Sequence, residues 1–138
     1  MIENRNQIVL IEDSESSYRL IRTVLRNEYD LHWIQDVEDK SQFGNINQSP
    51  DLFIMDIGLP EREMGFSVLE TLNYRFPSVP KVIITCYSDA TTAVRSFKLG
   101  AVDYIQKPFD AADFKNRVNQ VIQHNSNMRA DVSQYSYA

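Results

Sequence analysis

The chain has 138 residues, which suits one ordinary domain and leaves no room for two independent cores. Apolar residues make up 43% and charged residues 24%, the balance of a globule rather than of a disordered chain. Lys and Arg number 14 against 19 Asp and Glu, a net charge of -5 that argues against nucleic-acid binding through overall charge.

Residues 1–7 (MIENRNQ) are polar and lack the apolar run of a secretory signal. The run IVLI at 8–11 is continuous and β-branched, as is a strand buried on both faces of a parallel sheet. Residues 14–29 place Tyr18, Ile21, Val24, Leu25 and Glu28 at helical spacing, with Asp13 or Ser14 as N-cap. LHWIQDV at 31–37 alternates only in part and predicts a weaker strand, and 38–48 a short helix. LFIM at 52–55 predicts another buried strand. Phe66, Leu69, Leu72, Asn73 and Phe76 give a helix over 66–76, ended by Pro77 and Pro80. VIIT at 82–85 is a strand, 89–99 a helix stopped by Gly100, and VDYI at 102–105 a last strand. Phe114, Val118, Val121 and Ile122 mark a helix over 110–124, and the polar segment 125–138 reads as a tail or linker after a domain of 1–124. No stretch approaches the roughly 18 apolar residues that a membrane helix needs.

About five strand–helix alternations predict an α/β fold: a five-stranded, doubly wound parallel sheet with right-handed crossovers. The polar residues fall where such a sheet binds ligands, at the carboxyl ends of its strands. Glu12 and Asp13 end the first run, Asp56 the third and Thr85 the fourth, and Lys107 with Pro108 follows the fifth. Three carboxylates in one crevice repel each other unless a cation is present. Mg²⁺ (or Mn²⁺) is the expected one, because it takes few carboxylates and leaves positions for water and phosphate oxygens. Lys107 offers a point charge, Thr85 a hydroxyl and Asp56 a nucleophile, together a cradle for a phosphoryl group in transfer.

Four motifs carry a resemblance over roughly residues 7–124: IEDS at 11–14, FIMDIGLP at 53–60, IITCYSD at 83–89 and GAVDYIQKPF at 100–109. The chain resembles the receiver domain of two-component response regulators. The resemblance implies the flavodoxin-like strand order 2-1-3-4-5, for which a receiver protein is a standing example. It implies that Asp56 is the phosphoacceptor, Asp13 a direct metal ligand, Glu12 a ligand through water, and the Gly58 carbonyl a further ligand. Thr85 matches the switch hydroxyl, Tyr104 the switch aromatic and Lys107 the phosphate-binding lysine. Pro108 is expected to follow a cis peptide bond. Gly58 and Tyr87 flank the water path and are expected to tune phosphate lifetime.

The implied partner is a sensor histidine kinase or phosphotransfer protein. The implied output face joins the helix and strand around 89–104 to the last helix, 110–124, and is a possible homodimer surface. The expected setting is cytoplasmic, with no direct nucleic-acid binding by this segment and no membrane. The lone Cys86 excludes a disulfide framework, fits a reducing compartment and is expected to be a small packing residue. Trp33 is expected to pack, His32 to be a strand residue and His124 a solvated helix-end residue.

Gly65 lies nine residues after Asp56, where the family usually has glycine at eight, so the loop 59–65 is one residue longer. Competing readings are an aspartyl-phosphate hydrolase of the dehalogenase type, disfavoured because Gly58 stands where that type has a second Asp, and a flavodoxin-like cofactor binder, disfavoured because there are only 4 glycines and no phosphate loop. A third is a receiver that acts as a binding module without being phosphorylated.

Overall fold

The computed structural model describes residues 5–37, 46, 48–58 and 61–135, with side chains to residue 128. The short helix expected over 38–48 falls almost wholly outside the described residues. Five strands, β1 (Asn6–Ile11), β2 (Tyr29–Ile34), β3 (Leu52–Met55), β4 (Lys81–Thr85) and β5 (Ala101–Gln106), alternate with α1 (Glu15–Leu25), α2 (Arg62–Arg75), α3 (Ala90–Lys98) and α4 (Ala111–Tyr135). All strand pairs are parallel, in the order β2-β1-β3-β4-β5. This is the doubly wound, flavodoxin-like sheet expected.

Successive side chains of a strand point to opposite faces, and here each face meets its own core. Val9, Ile11, Phe53, Met55 and Ile83 pack with Phe66, Leu69 and Leu72 of α2. Ile8, Leu10, Leu52, Ile54, Val82 and Ile84 pack with Ile21 and Leu25 of α1 and Phe114, Val118 and Ile122 of α4. All of β3 and β4 are therefore buried, whereas the edge strand β2 alternates. That difference is the reason for two kinds of sequence pattern.

Three boundaries differ from the expected ones. α1 stops at Leu25, and Tyr29 opens β2 opposite Asn6, its hydroxyl donating to Asn119. α2 begins before its apolar repeat, because its first turn is placed by Gly65. A Cβ there would lie 1.7 Å from the Ile57 carbonyl oxygen, so helix and post-β3 backbone meet through the missing side chain. α4 runs past residue 124 to Tyr135. No glycine or proline interrupts 109–138, so helix propensity carries it where apolar periodicity gives no signal. His124 is thus exposed within a helix rather than at its end.

At the opposite end of the sheet from the candidate site, Lys81 is 1% exposed. Its ammonium donates to the Phe76 carbonyl (2.5 Å) and the Asn73 side-chain oxygen (3.1 Å), at the carboxyl end of α2. A cation there suits the helix dipole, yet burial lowers its pKa from 10.5 to about 8.

Gly65→Ala is expected to cost more than about 3 kcal/mol or to prevent folding, because the clash is with backbone; urea denaturation measures it. For Lys81 the folded pKa lies below the unfolded one, so between pH 8 and 10.5 the unfolded state binds more protons. Wild-type stability measured against Lys81→Met should therefore rise across that window, by roughly 1–3 kcal/mol. A difference that stays flat with pH refutes it.

Candidate functional site

Backbone hydrogen bonds carry the ladders past the carboxyl ends of the strands. The Glu12 amide donates to Ile34, Asp56 to Ile11 and Lys107 to Thr85, at 3.1, 3.1 and 2.8 Å. The three residues are therefore held on one edge. Lys107 and Pro108 are joined by a cis peptide bond, as expected. The Lys107 ammonium lies 2.7 Å from Glu12 Oε2 and 2.9 Å from Asp56 Oδ2, and donates to Ser17 Oγ at 3.3 Å. The remaining carboxylate oxygens are also occupied. Glu12 Oε1 accepts from the Ser14 amide (3.1 Å), and Asp56 Oδ1 from the Gly58 amide (2.9 Å).

Glu12 is fully buried, while the side chains of Lys107 and Asp56 are each 13% exposed. Burial pushes the Glu12 carboxyl above its ordinary value, and the hydrogen bond and charge of Lys107 offset only part of this. Burial pushes Lys107 down, but its bonds to Glu12 and the charge of Asp56 outweigh that and raise it. Two contacts under 3 Å from one ammonium favour the charged arrangement, since an unpaired buried ammonium or carboxylate would be costlier still.

Asp13 departs from the expected close triple of carboxylates. Its side chain is exposed at the rim, Ser14 rather than Asp13 caps α1, and among the described residues no three carboxylate, imidazole or thiol groups gather at metal-binding distance. The position of the acidic pair is set from β2. The Trp33 indole N–H donates to the Glu12 carbonyl at 2.7 Å, and its ring stacks on Tyr18 at 3.9 Å between centroids. Trp33 is more than packing; the indole N–H of a buried Trp usually finds an acceptor, which was the available signal. Ser17 carried no such signal.

Thr85 is buried, and its hydroxyl accepts from the Tyr87 amide at 3.3 Å. The Tyr87 carbonyl accepts from the Tyr104 hydroxyl at 2.7 Å. Burial and the charges of Asp89 and Asp56 raise the Tyr104 phenol to about 12, so it stays a donor. Tyr104 is half-buried against the α2-side core. Cys86 is exposed, not a packing residue: β4 ends at Thr85, and the chain turns outward one residue later.

The model of the response regulator receiver domain matches residues 8–119. The chain belongs to that family. It is 29% identical over 123 residues to the DNA-binding transcriptional regulator NtrC of Proteus hauseri, covering 89% of this chain and 26% of that one. It is 28% identical over 120 residues to the regulatory protein AtoC of Escherichia coli, covering 86% and 25%. This receiver chain thus spans about a quarter of those relatives. A CheY-like receiver domain protein from Methanospirillum hungatei superposes with a TM-score of 0.81 at 22% identity, over 91% of this chain and 99% of that one. NtrX from Brucella abortus superposes at 0.82 with 25% identity, over 95% and 29%.

Removing the ammonium should leave Glu12 facing Asp56 as unscreened like charges. Lys107→Met is expected to lower stability at pH 7 by about 2–4 kcal/mol, and adding Glu12→Gln should return most of it. Equal stabilities for the single and double variants in urea would refute the pairing.

Proposed function

We propose that the chain is a phosphoacceptor switch in which Asp56 takes a phosphoryl group from the phosphohistidine of a sensor histidine kinase or phosphotransfer protein. The observation that carries this is one ammonium within 2.9 Å of a carboxylate left 13% exposed at the carboxyl edge of the sheet. An Asp56 oxygen attacks phosphorus, the P–N bond to the donor imidazole breaks, and an aspartyl phosphate forms. Lys107, anchored by Glu12 and Ser17, is placed to follow the charge that develops on the phosphoryl oxygens.

Glu12, Asp13 and Asp56 against Lys107 leave a formal charge of three minus one, or -2, on hard oxygen donors alone, which fits Mg²⁺ (or Mn²⁺). Asp13, Asp56 and the Gly58 carbonyl would hold it, with Glu12 acting through water, since Glu12 is fully buried behind Lys107 whereas Asp56 keeps 13% of its side chain exposed. When bound, such an ion neutralises charge on the attacking and transferring oxygens. Gly58 donates its amide to Asp56 where a dehalogenase-type hydrolase would carry a second acid, which supports the switch over the enzyme.

In this reading Thr85 exchanges its bond from the Tyr87 amide for a phosphoryl oxygen, and Tyr104 follows through the Tyr87 carbonyl. The output face would be α3, β5 and α4, where Val94, Phe97 and Val102 are exposed; it suits a partner or a second copy of the chain. Residues 125–138 would then serve as a stiff tail or linker, helical to Tyr135. A regulatory role in transcription, named for the relative NtrC, is proposed for the whole protein and not for the receiver fold by itself. No helix among the described residues is long and apolar enough to cross a membrane, consistent with a cytoplasmic setting.

Asp56→Asn should abolish phosphate incorporation from acetyl phosphate with Mg²⁺, measured by intact mass, while wild type gains one phosphoryl group. Undiminished incorporation in the variant would sink the assignment.

A further inference from the structure

Tyr87 stands at the centre of the site, yet its own ring is held from outside it. Its backbone is tied to Thr85 and Tyr104. Its ring edge lies over Gly58: a Cβ at that position would meet Tyr87 Cε2 at 2.9 Å and Asp56 Oδ1 at 3.4 Å. The ring edge and the Asp56 carboxylate therefore border the same point above Gly58, although Tyr87 is 38% exposed.

Arg62 lies against that ring. Its guanidinium carbon is 4.6 Å from the Tyr87 ring centroid. On its edge, Arg62 donates to Thr92 Oγ1 at 3.1 Å and lies 3.6 Å from Asp89 Oδ2. Asp89 is in turn fixed as the N-cap of α3, accepting from the Thr92 amide at 3.0 Å and the Thr92 hydroxyl at 2.6 Å. A planar guanidinium bonded along its edge leaves its face free to stack.

We propose that Arg62 is a positioning residue that seats the Tyr87 ring over Gly58 at the mouth of the Asp56 crevice and so limits water reaching the aspartyl phosphate. The inference rests on the phosphoacceptor reading. In the step concerned, a water oxygen attacks phosphorus and the bond from phosphorus to the Asp56 oxygen breaks. Asp56 leaves as carboxylate, and the water protons depart with inorganic phosphate as H₂PO₄⁻. Arg62 touches none of these atoms; it acts only through where the ring lies.

The test follows the decay of phosphorylated protein after acetyl phosphate is removed. Arg62→Gln should decay roughly two- to fivefold faster than wild type. In a Tyr87→Ala background the same substitution should add nothing. Unchanged decay in Arg62→Gln overturns the proposal, and so does an equal acceleration in both backgrounds, which would mean that the charge acts directly. Wild type that takes up no phosphate would defeat the phosphoacceptor reading instead. The seat is then read in unphosphorylated protein from the nuclear Overhauser contact between the Tyr87 ring and the Gly58 α-protons. Arg62→Gln must lose that contact while keeping its unfolding midpoint; a contact retained in the variant overturns the proposal by itself.

Discussion

One ammonium shared by two carboxylates is the constraint on which the carboxyl edge of the sheet depends. Lys107 follows β5, Asp56 follows β3, and β4 lies between them. The lysine stem must therefore cross the end of β4 to reach Asp56 at 2.9 Å and Glu12, beyond β3 after β1, at 2.7 Å. A compact residue at that crossing is a steric requirement, and Thr85 meets it with a hydroxyl that a bulkier apolar residue would not supply. The same contact explains why Glu12 can be fully buried: the burial penalty on a carboxylate is tolerable only beside a partner charge that satisfies its lone pairs.

A second layer of contacts bears on the proposed change of state. Each of the two proposed switch groups, Thr85 and Tyr104, has a hydrogen bond to the backbone of the same residue, Tyr87. A hydroxyl committed to a backbone amide is a weak commitment, since a neutral hydrogen bond contributes only about 1 kcal/mol net. The hydroxyl is the acceptor in that bond, so its proton is left to donate to a charged phosphoryl oxygen. In the proposed switch, the loop after β4 would link the crevice to the Tyr104 side chain through one residue, whose ring lies against Arg62, itself 3.6 Å from Asp89.

How much of this could be read from the sequence follows from what each residue contacts. Runs such as IVLI and LFIM were legible because both faces of their strands are buried, so no alternation dilutes the signal. Glu12, Asp56, Thr85 and Lys107 were legible because parallel strands end on one edge, which makes position within a run a proxy for position in space. The β2 start was not, because an edge strand keeps one solvated face and the turn before it has no breaker. Cys86 was misplaced because it leaves the last paired residue of β4, where the chain direction, not the pattern, decides whether a side chain points in or out, and Asp13 stands exposed at the rim after β1 for the same reason. Arg62 gave no signal at all, since its partners Tyr87, Asp89 and Thr92 lie more than twenty residues away.

The anchoring of β5 decides which element is free to respond. Arg117 of α4 forks onto Asp103 through Nε at 2.9 Å and Nη2 at 2.5 Å, and Nη2 also donates to the Tyr104 carbonyl at 3.3 Å. The backbone that carries Tyr104 is therefore fastened to α4, whose Phe114, Val118 and Ile122 are sunk in the core. On its other side the Tyr104 ring meets α3 at the Phe97 ring, 6.4 Å between centroids. α3 is also the shortest of the four described helices, with two buried residues, Thr92 and Ser96, neither of them apolar. An element held by little apolar burial opens and shifts at lower cost than one rooted in a core. Motion that begins at Thr85 should therefore be taken up by α3 and the loop before it, while β5 and α4 supply the fixed frame against which that displacement can be sensed.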